Sequence, residues 1–160
     1  MIIFCIWLYP SIVLHAQKIN AGISTGLGLF ESTGFYSLGG NFEFKPKNAM
    51  ISINTDPFVI FRKSEVSLTE PIYLKFNMGR KFRVSPAFGG FFRTTGSYGW
   101  LLGFHLEYDI KDKFIVFLKN EYYKDFWEDE HPNHYGGSST YINSGHSMLF
   151  SLGLKMMLLK

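Results

Sequence analysis

The sequence is short of charge, nearly free of cysteine, and without an apolar run long enough to cross a membrane as a helix. Charged residues make up only 18% of its 160 positions while hydrophobic ones make up 46%, a balance that excludes a disordered tail. The single cysteine, Cys5, excludes an internal disulfide and any CxxC redox or zinc pattern. No heptad and no glycine triplet run through the chain, which excludes coiled coil and collagen. The net charge of +3 is not gathered into a basic face, so no nucleic-acid footprint is present. Gly22, Gly26 and Gly28 fall inside one alternating segment and not between a strand and a helix, so they form no phosphate loop. No cofactor is expected. The length leaves room for one domain.

What the sequence does have is aromatic residues and glycine: Phe 17, Gly 16 and Tyr 9, a composition of strands and tight turns. At the start, Ile2 to Leu8 and Ile12 to Leu14 form apolar runs without charge, ending at Leu14-His15-Ala16. This reads as a secretory signal peptide over residues 1–16, cleaved after a small residue, although no Lys or Arg precedes the apolar core. The expected mature domain is 17–160. Cys5 would leave with the signal, and no small-residue lipoprotein box precedes it.

From Ile19 onward the hydrophobicity repeats with a period of two, in eight segments, as strands require. Ile19, Ala21, Ile23, Thr25, Leu27 and Leu29 alternate with Asn20, Gly22, Ser24, Gly26 and Gly28. The clearest case sets Trp100, Leu102, Phe104, Leu106 and Tyr108 against Gly103, His105, Glu107 and Asp109. The last sets Met148, Phe150, Leu152, Leu154, Met156 and Leu158 against Ser147, Leu149, Ser151, Gly153 and Lys155. Each segment is about as long as a tilted strand crossing a bilayer.

The chemistry of the two faces selects the solvent. One face carries no Asp, Glu, Lys or Arg in any segment. The other is mostly Gly, Ser, Asn and Ala, which suits the narrow interior of an eight-stranded barrel. A Lys or Arg facing lipid at mid-depth costs about 2–4 kcal/mol, so a charge-free face has a physical cause. The expected fold is all-β: a closed, antiparallel, eight-stranded, up-and-down transmembrane β-barrel, closed because an open sheet edge in lipid leaves backbone groups unpaired. Tyr36, Phe44, Trp100, Tyr108, Phe114 and Tyr122 sit toward segment ends and are expected to form aromatic girdles. The inward set contributes Glu43, Lys75, Arg83, Arg93, His105, Glu107, Lys119, Glu121 and Lys155, expected as a lumenal charge network that plugs the barrel, since buried charges must be paired.

Three short connections are expected at one end, Lys45-Pro46-Lys47-Asn48, Gly79-Arg80-Lys81 and Ile110-Lys111-Asp112-Lys113. They alternate with generally longer ones at 30–34, 57–70, 94–99 and 124–145, as in barrels with periplasmic turns and outer loops. Pro86 deletes a ladder hydrogen bond, and Gly89-Gly90 after it suggests a bulge. Residues 57–61 are apolar enough to extend the third segment.

On the signal, the strand count, the two-residue period and the loop alternation, the chain resembles the small outer-membrane barrels of Gram-negative bacteria: the OmpA transmembrane-domain and OmpX-like class and the porin-like outer-membrane β-barrel families. The resemblance covers nearly all of 17–160. It implies residence in the bacterial outer membrane among lipid and lipopolysaccharide, delivery by periplasmic chaperones and the barrel-assembly machinery, and a monomeric state. The ending Leu158-Leu159-Lys160 departs from the terminal aromatic residue common in that class.

Within this class the expected role is structural or contact-making, through outer-loop residues Trp127, Glu128, Asp129, Glu130, His131, His134 and Tyr135. The alternatives are a narrow ion path lined by the inward charges, or a lipocalin-like apolar carrier, which shares the strand count but not the early Gly-x-Trp. Less favoured is a lipid-A-modifying acyl enzyme built on His105, Glu107 and one of Ser85, Ser147 and Ser151. His146-Ser147 fails that role because adjacent strand residues face opposite ways. The carboxylates and histidines between Asp125 and His134 read as a solvated acidic loop in preference to a metal site, so no catalytic, metal or cofactor residue is assigned.

Overall fold

The computed structural model describes residues 16–46, 49–63, 65–111, 113–132 and 138–159. Among them there is no helix. The strands are β1 (Ala16–Phe30), β2 (Thr33–Pro46), β3 (Ile51–Thr55), β4 (Phe58–Arg62), β5 (Glu65–Phe76), β6 (Met78–Gly79), β7 (Phe82–Arg93), β8 (Tyr98–Lys111), β9 (Phe114–Pro132) and β10 (Ser138–Leu159). All belong to one antiparallel sheet. β1 pairs with both β2 and β10. β2 pairs with β3 and β4, these with β5, β5 with β7, and β7, β8, β9 and β10 follow in sequence. The pairings therefore return to their starting strand, so that within the ring each stave has a neighbour on both sides.

Ten strands replace eight segments because two staves are interrupted. The pairs Phe42↔Thr55 and Tyr36↔Phe61 lie on one register of β2, so β3 and β4 are a single stave broken at Asp56-Pro57. The register of Thr55↔Ile72 and Phe58↔Thr69 sets that break opposite Glu70-Pro71. Neither proline has an N–H to give, so the ladder lapses where they meet. Gly40 N still donates to the Pro57 carbonyl at 2.9 Å, which holds the stave to β2.

The expected outer loop at 57–70 is thereby corrected. Phe58 and Ile60 continue the inward parity, the chain turns at Lys63, with φ of 22°, and β5 begins at Glu65. The connections at 30–34 and 94–99 are tight turns, with Glu31 at φ 54° and Gly96 at φ 88°. Most of 124–145 is strand. β8 leaves β9 at Tyr98↔Phe126 and β1 leaves β10 at Phe30↔Ser147. β9 and β10 pair on for six further residue pairs, from Asn143↔Trp127 to Ser138↔Pro132. At about 3.3 Å per residue this two-stranded ribbon projects about 20 Å.

Pro86 does not produce a bulge. Both ladders of β7 run through Gly89-Gly90 without a register shift. Pro86 falls in the interval between Lys75↔Ala87 and Met78↔Val84, where β5 gives way to β6, so its missing donor coincides with a gap in the partner.

Side chains alternate as the two-residue period requires. Ile23 is 70% exposed, Leu38 58% and Leu152 56%, whereas Lys75 is fully buried and Glu107 is 1% exposed. Small residues at inward positions make room for rings. A Cβ on Gly153 would lie 2.2 Å from the Phe117 ring and 2.4 Å from the Ile23 carbonyl oxygen, whereas at Gly90 the nearest atom stands 3.4 Å away. We expect Gly153→Val to destabilise the fold by about 1–3 kcal/mol through overpacking and Gly90→Ala to leave it nearly unchanged. Urea titrations of both variants in detergent, read by tryptophan fluorescence, check this.

Candidate functional site

The interior of the ring is layered. Nearest the end carrying the short β2–β3 and β8–β9 turns lies a charge cluster. Lys75 Nζ stands 2.5 Å from Glu107 Oε1 and 2.9 Å from Glu43 Oε1. Lys155 Nζ bridges the same two carboxylates at 2.6 and 3.2 Å. Arg83 donates from Nε to Glu107 Oε2 at 3.1 Å and from Nη1 to Asp109 Oδ2 at 2.9 Å. Three cations thus meet three carboxylates. Neutral donors complete the shell: Asn20 Nδ2 and Ser52 Oγ donate to Glu43 at 3.1 and 2.9 Å. Such coverage is what makes buried ions tolerable.

Above it, Asp56 receives the Lys119 ammonium, the Tyr73 hydroxyl and the Asn41 amide. Asp56 keeps the inward parity of Ser52 and Asn54 through the break at Asp56-Pro57, and its side chain is buried. Glu121 binds His105 Nε2 at 3.0 Å and accepts from the Tyr123 hydroxyl at 2.9 Å.

The next layer is apolar. Phe35, Phe58, Ile60, Phe91, Leu101 and Leu149 are buried with Tyr73, Ala87 and Tyr123 in one cluster. Tyr123 sits edge-on to Phe58 and Phe91, at 5.9 and 5.1 Å between centroids, a geometry that adds to the burial energy. Arg93 caps this layer. It donates from Nε to Thr69 Oγ1 at 3.1 Å and from Nη2 to Ser147 Oγ at 3.2 Å, and it pairs with Asp125. Beyond Arg93 the ring opens into a cavity of about 660 Å³, bounded by Phe30, Phe35, Ile60 and Arg62 on one side and by Ser97, Asp125, Trp127 and Asp129 on the other.

The nine inward charges named from the sequence all enter this interior, though they do not form one network. Glu43, Lys75, Arg83, Glu107 and Lys155 share the first cluster, Lys119, His105 and Glu121 the second layer, and Arg93 stands apart above the apolar plug. Their counter-ions Asp56, Asp109 and Asp125 were passed over. Parity carried the signal, because Asp56 follows Ser52 and Asn54, Asp109 follows Glu107, and Asp125 follows Glu121 and Tyr123 at two-residue steps. His105 meets Glu121 across the strands and not its own-strand neighbour Glu107. Ser85 donates to Asn77 Oδ1 at 3.3 Å and Ser147 to Asp125 Oδ2 at 3.4 Å, so two of the three hydroxyls considered for acyl chemistry bond partners other than His105, and the third, Ser151, is buried.

Of the expected girdle, Tyr36, Trp100, Tyr108 and Phe114 are exposed and Tyr122 is half-buried, with Trp100 and Tyr122 in contact at 5.7 Å. Phe44 differs: it is buried. Among the outer-contact residues, Trp127 and Asp129 bound the cavity, and Trp127 Nε1 donates to Asp129 Oδ2 at 3.3 Å. Glu128, between them, also borders the cavity and is exposed. Glu130 and His131 lie on β9, with side chains outside the described set, and His134 and Tyr135 lie outside the described residues, as does the signal up to His15. Ala16, the last expected signal residue, is the first residue of β1.

No protein-family model matches the sequence, and no curated protein matches it. Solved structures do. A de novo designed transmembrane β-barrel superimposes with a TM-score of 0.57 at 7% identity, over 89% of this chain and 97% of the design. The designed barrel TMB2.3, solved by NMR in solution, gives 0.57 at 10% identity over 91% and 97%. Neisserial surface protein A gives 0.54 at 9% identity over 87% and 95%. At these identities the likeness is one of fold, and the shared fold is a β-barrel.

Proposed function

We propose that this chain is a closed, eight-stave, up-and-down barrel of the bacterial outer membrane, of the small OmpA- and OmpX-like kind. On this reading it is delivered by a cleaved signal over residues 1–16, folds among lipid and lipopolysaccharide with the help of periplasmic chaperones and the assembly machinery, and is a monomer. Its role is that of a structural or contact protein and not of an enzyme. The observation that carries the reading is the inversion of polarity: apolar side chains cover the outside while Lys75, Lys155, Glu43 and Glu107 are sealed within. Water rewards neither half of that arrangement, and a bilayer rewards both.

The plugged lumen is favoured over an ion path by the layer of Phe35, Phe58, Phe91, Leu101 and Leu149 between the charge cluster and the outer cavity. An eight-stranded bore is just wide enough for side chains to fill. The projecting β9–β10 ribbon is the element best placed to touch another surface.

The expected result is a protein that pellets with membranes, needs detergent, and migrates faster on a gel unheated than boiled. Planar bilayers holding the unheated form show no steady ohmic conductance. A chain soluble in plain buffer with no heat-dependent shift overturns the membrane reading, and steady conductance overturns the plug.

A further inference from the structure

The cavity above Arg93 is built like a binding site. Its volume, about 660 Å³, lies within the range of small-molecule pockets, about 300–1,000 Å³. It is floored by the buried aromatic layer through Phe35 and Ile60, walled by Phe30 and Trp127, and edged by hydroxyls of Ser67, Thr95 and Ser97. An apolar wall with a few fixed polar groups is the usual composition of a ligand site.

Its electrostatics select the ligand's charge. Its lining sets two guanidiniums, Arg62 and Arg93, against four carboxylates, Glu65, Asp125, Glu128 and Asp129. All three nitrogens of Arg93 are engaged, with Thr69, Asp125 and Ser147. Arg62 pairs with Glu65 at 2.5 Å and lies 4.9 Å over the Phe30 ring. Asp129 is left over. It is held by the Trp127 indole N–H and the Asn143 amide, two neutral donors, and no cation pairs with it among the described residues. An anion entering here would meet an excess of carboxylates. A cation would find a positioned carboxylate beside an indole, and both attract positive charge.

We propose that this vestibule binds a small organic cation: an ammonium group held by Asp129 and Trp127, with an apolar body resting on Phe35 and Ile60. The inference depends on the barrel reading only for the orientation of the mouth, toward the outside of the cell.

The test uses the full chain, folded in detergent, with phenethylammonium as probe. Its neutral and anionic counterparts, 2-phenylethanol and phenylacetate, are the controls. Binding is followed by tryptophan fluorescence in the Trp7→Phe/Trp100→Phe background, so that Trp127 reports, and by calorimetry of the unaltered protein. Phenethylammonium is expected to saturate, 2-phenylethanol to bind at least about tenfold more weakly, and phenylacetate not to bind, a tenfold ratio being about 1.4 kcal/mol. Asp129→Asn should erase the preference for the cation. Equal binding of all three, tighter binding of phenylacetate, or no saturation by phenethylammonium below about 10 mM overturns the proposal. Should Asp129→Asn not fold, the ranking of the three probes on the unaltered protein decides. The heat-dependent gel shift is recorded on the same samples. If the shift persists while the probes fail, the vestibule proposal falls and the barrel reading stands. If the shift is absent, the barrel reading falls first.

Discussion

Replacing Glu107 by glutamine is expected to cost about 3–5 kcal/mol of folding stability, the usual penalty for removing one partner of a buried ion pair. Glu107 is the hub of the inner cluster, with Lys75, Lys155 and Arg83 all bonded to its two oxygens. Its side chain is 1% exposed, so water cannot take over the released cations. The variant leaves three cations facing Glu43 and Asp109 alone. Unfolding titrations in detergent, scored by the folded gel band, should show the midpoint falling steeply. The double variant Glu107→Gln/Lys75→Met removes one charge of each sign and is expected to recover a large part of the loss. The reason is that the penalty lies in the unpaired charge and not in the missing bond. A Glu107→Gln protein as stable as the original would mean that water reaches the cluster, which is incompatible with a sealed set of buried ion pairs.

The second large effect belongs to the outer face. Leu118 pairs with Leu106 on one side and Leu152 on the other, midway between the ring pair Trp100–Tyr122 and the opposite end at Tyr108 and Phe114. Leu118→Arg is expected to destabilise the protein in lipid by about 2–4 kcal/mol, whereas Leu159→Arg at the end of β10 costs about 0–1 kcal/mol. Unfolding in liposomes gives the comparison. The contrast in depth is the decisive quantity. A soluble protein would tolerate both substitutions alike, because both side chains are exposed and water welcomes a guanidinium at either.

How much of this was legible in sequence follows from the range over which each cue acts. Parity is set residue by residue, because successive strand side chains leave the backbone on opposite sides. It therefore placed Phe104, Leu152, Lys119 and Glu121 on their faces without reference to any partner. The ends of β2 at Pro46 and of β8 at Lys111, and the turn at Arg80-Lys81, were legible for the same reason, as proline and charge punctuate the alternation locally. The segment 57–70 reads as a polar connection, but its first residues, 57–61, are apolar and extend the third segment as β4. Pro57 and Pro71 do break a ladder, but the same one from its two sides, so one gap serves both and the stave continues through β4. Phe44, placed by its parity among lipid-facing aromatics, is buried, and parity says nothing of what covers a side chain.

The candidate sites divide along the same line. The inventory of inward charges was available from a period of two, and so were Asp56, Asp109 and Asp125 once the parity is carried to the end of each strand. Who pairs with whom was not available. Lys155 and Glu43 are 112 residues apart, and their meeting depends on the register in which β10 closes on β1. The alternating sequence by itself determined that this chain forms strands with one greasy and one polar face, since that pattern is written in every consecutive pair of residues. The tertiary structure alone decided that the charges separate into an inner cluster, a second layer around Asp56 and Glu121 and, beyond an aromatic seal, the Arg93–Asp125 pair, and that a cavity bordered by Asp129 is left above. Depth along the ring axis comes from the stagger between neighbouring strands, and that stagger is a property of the whole ring.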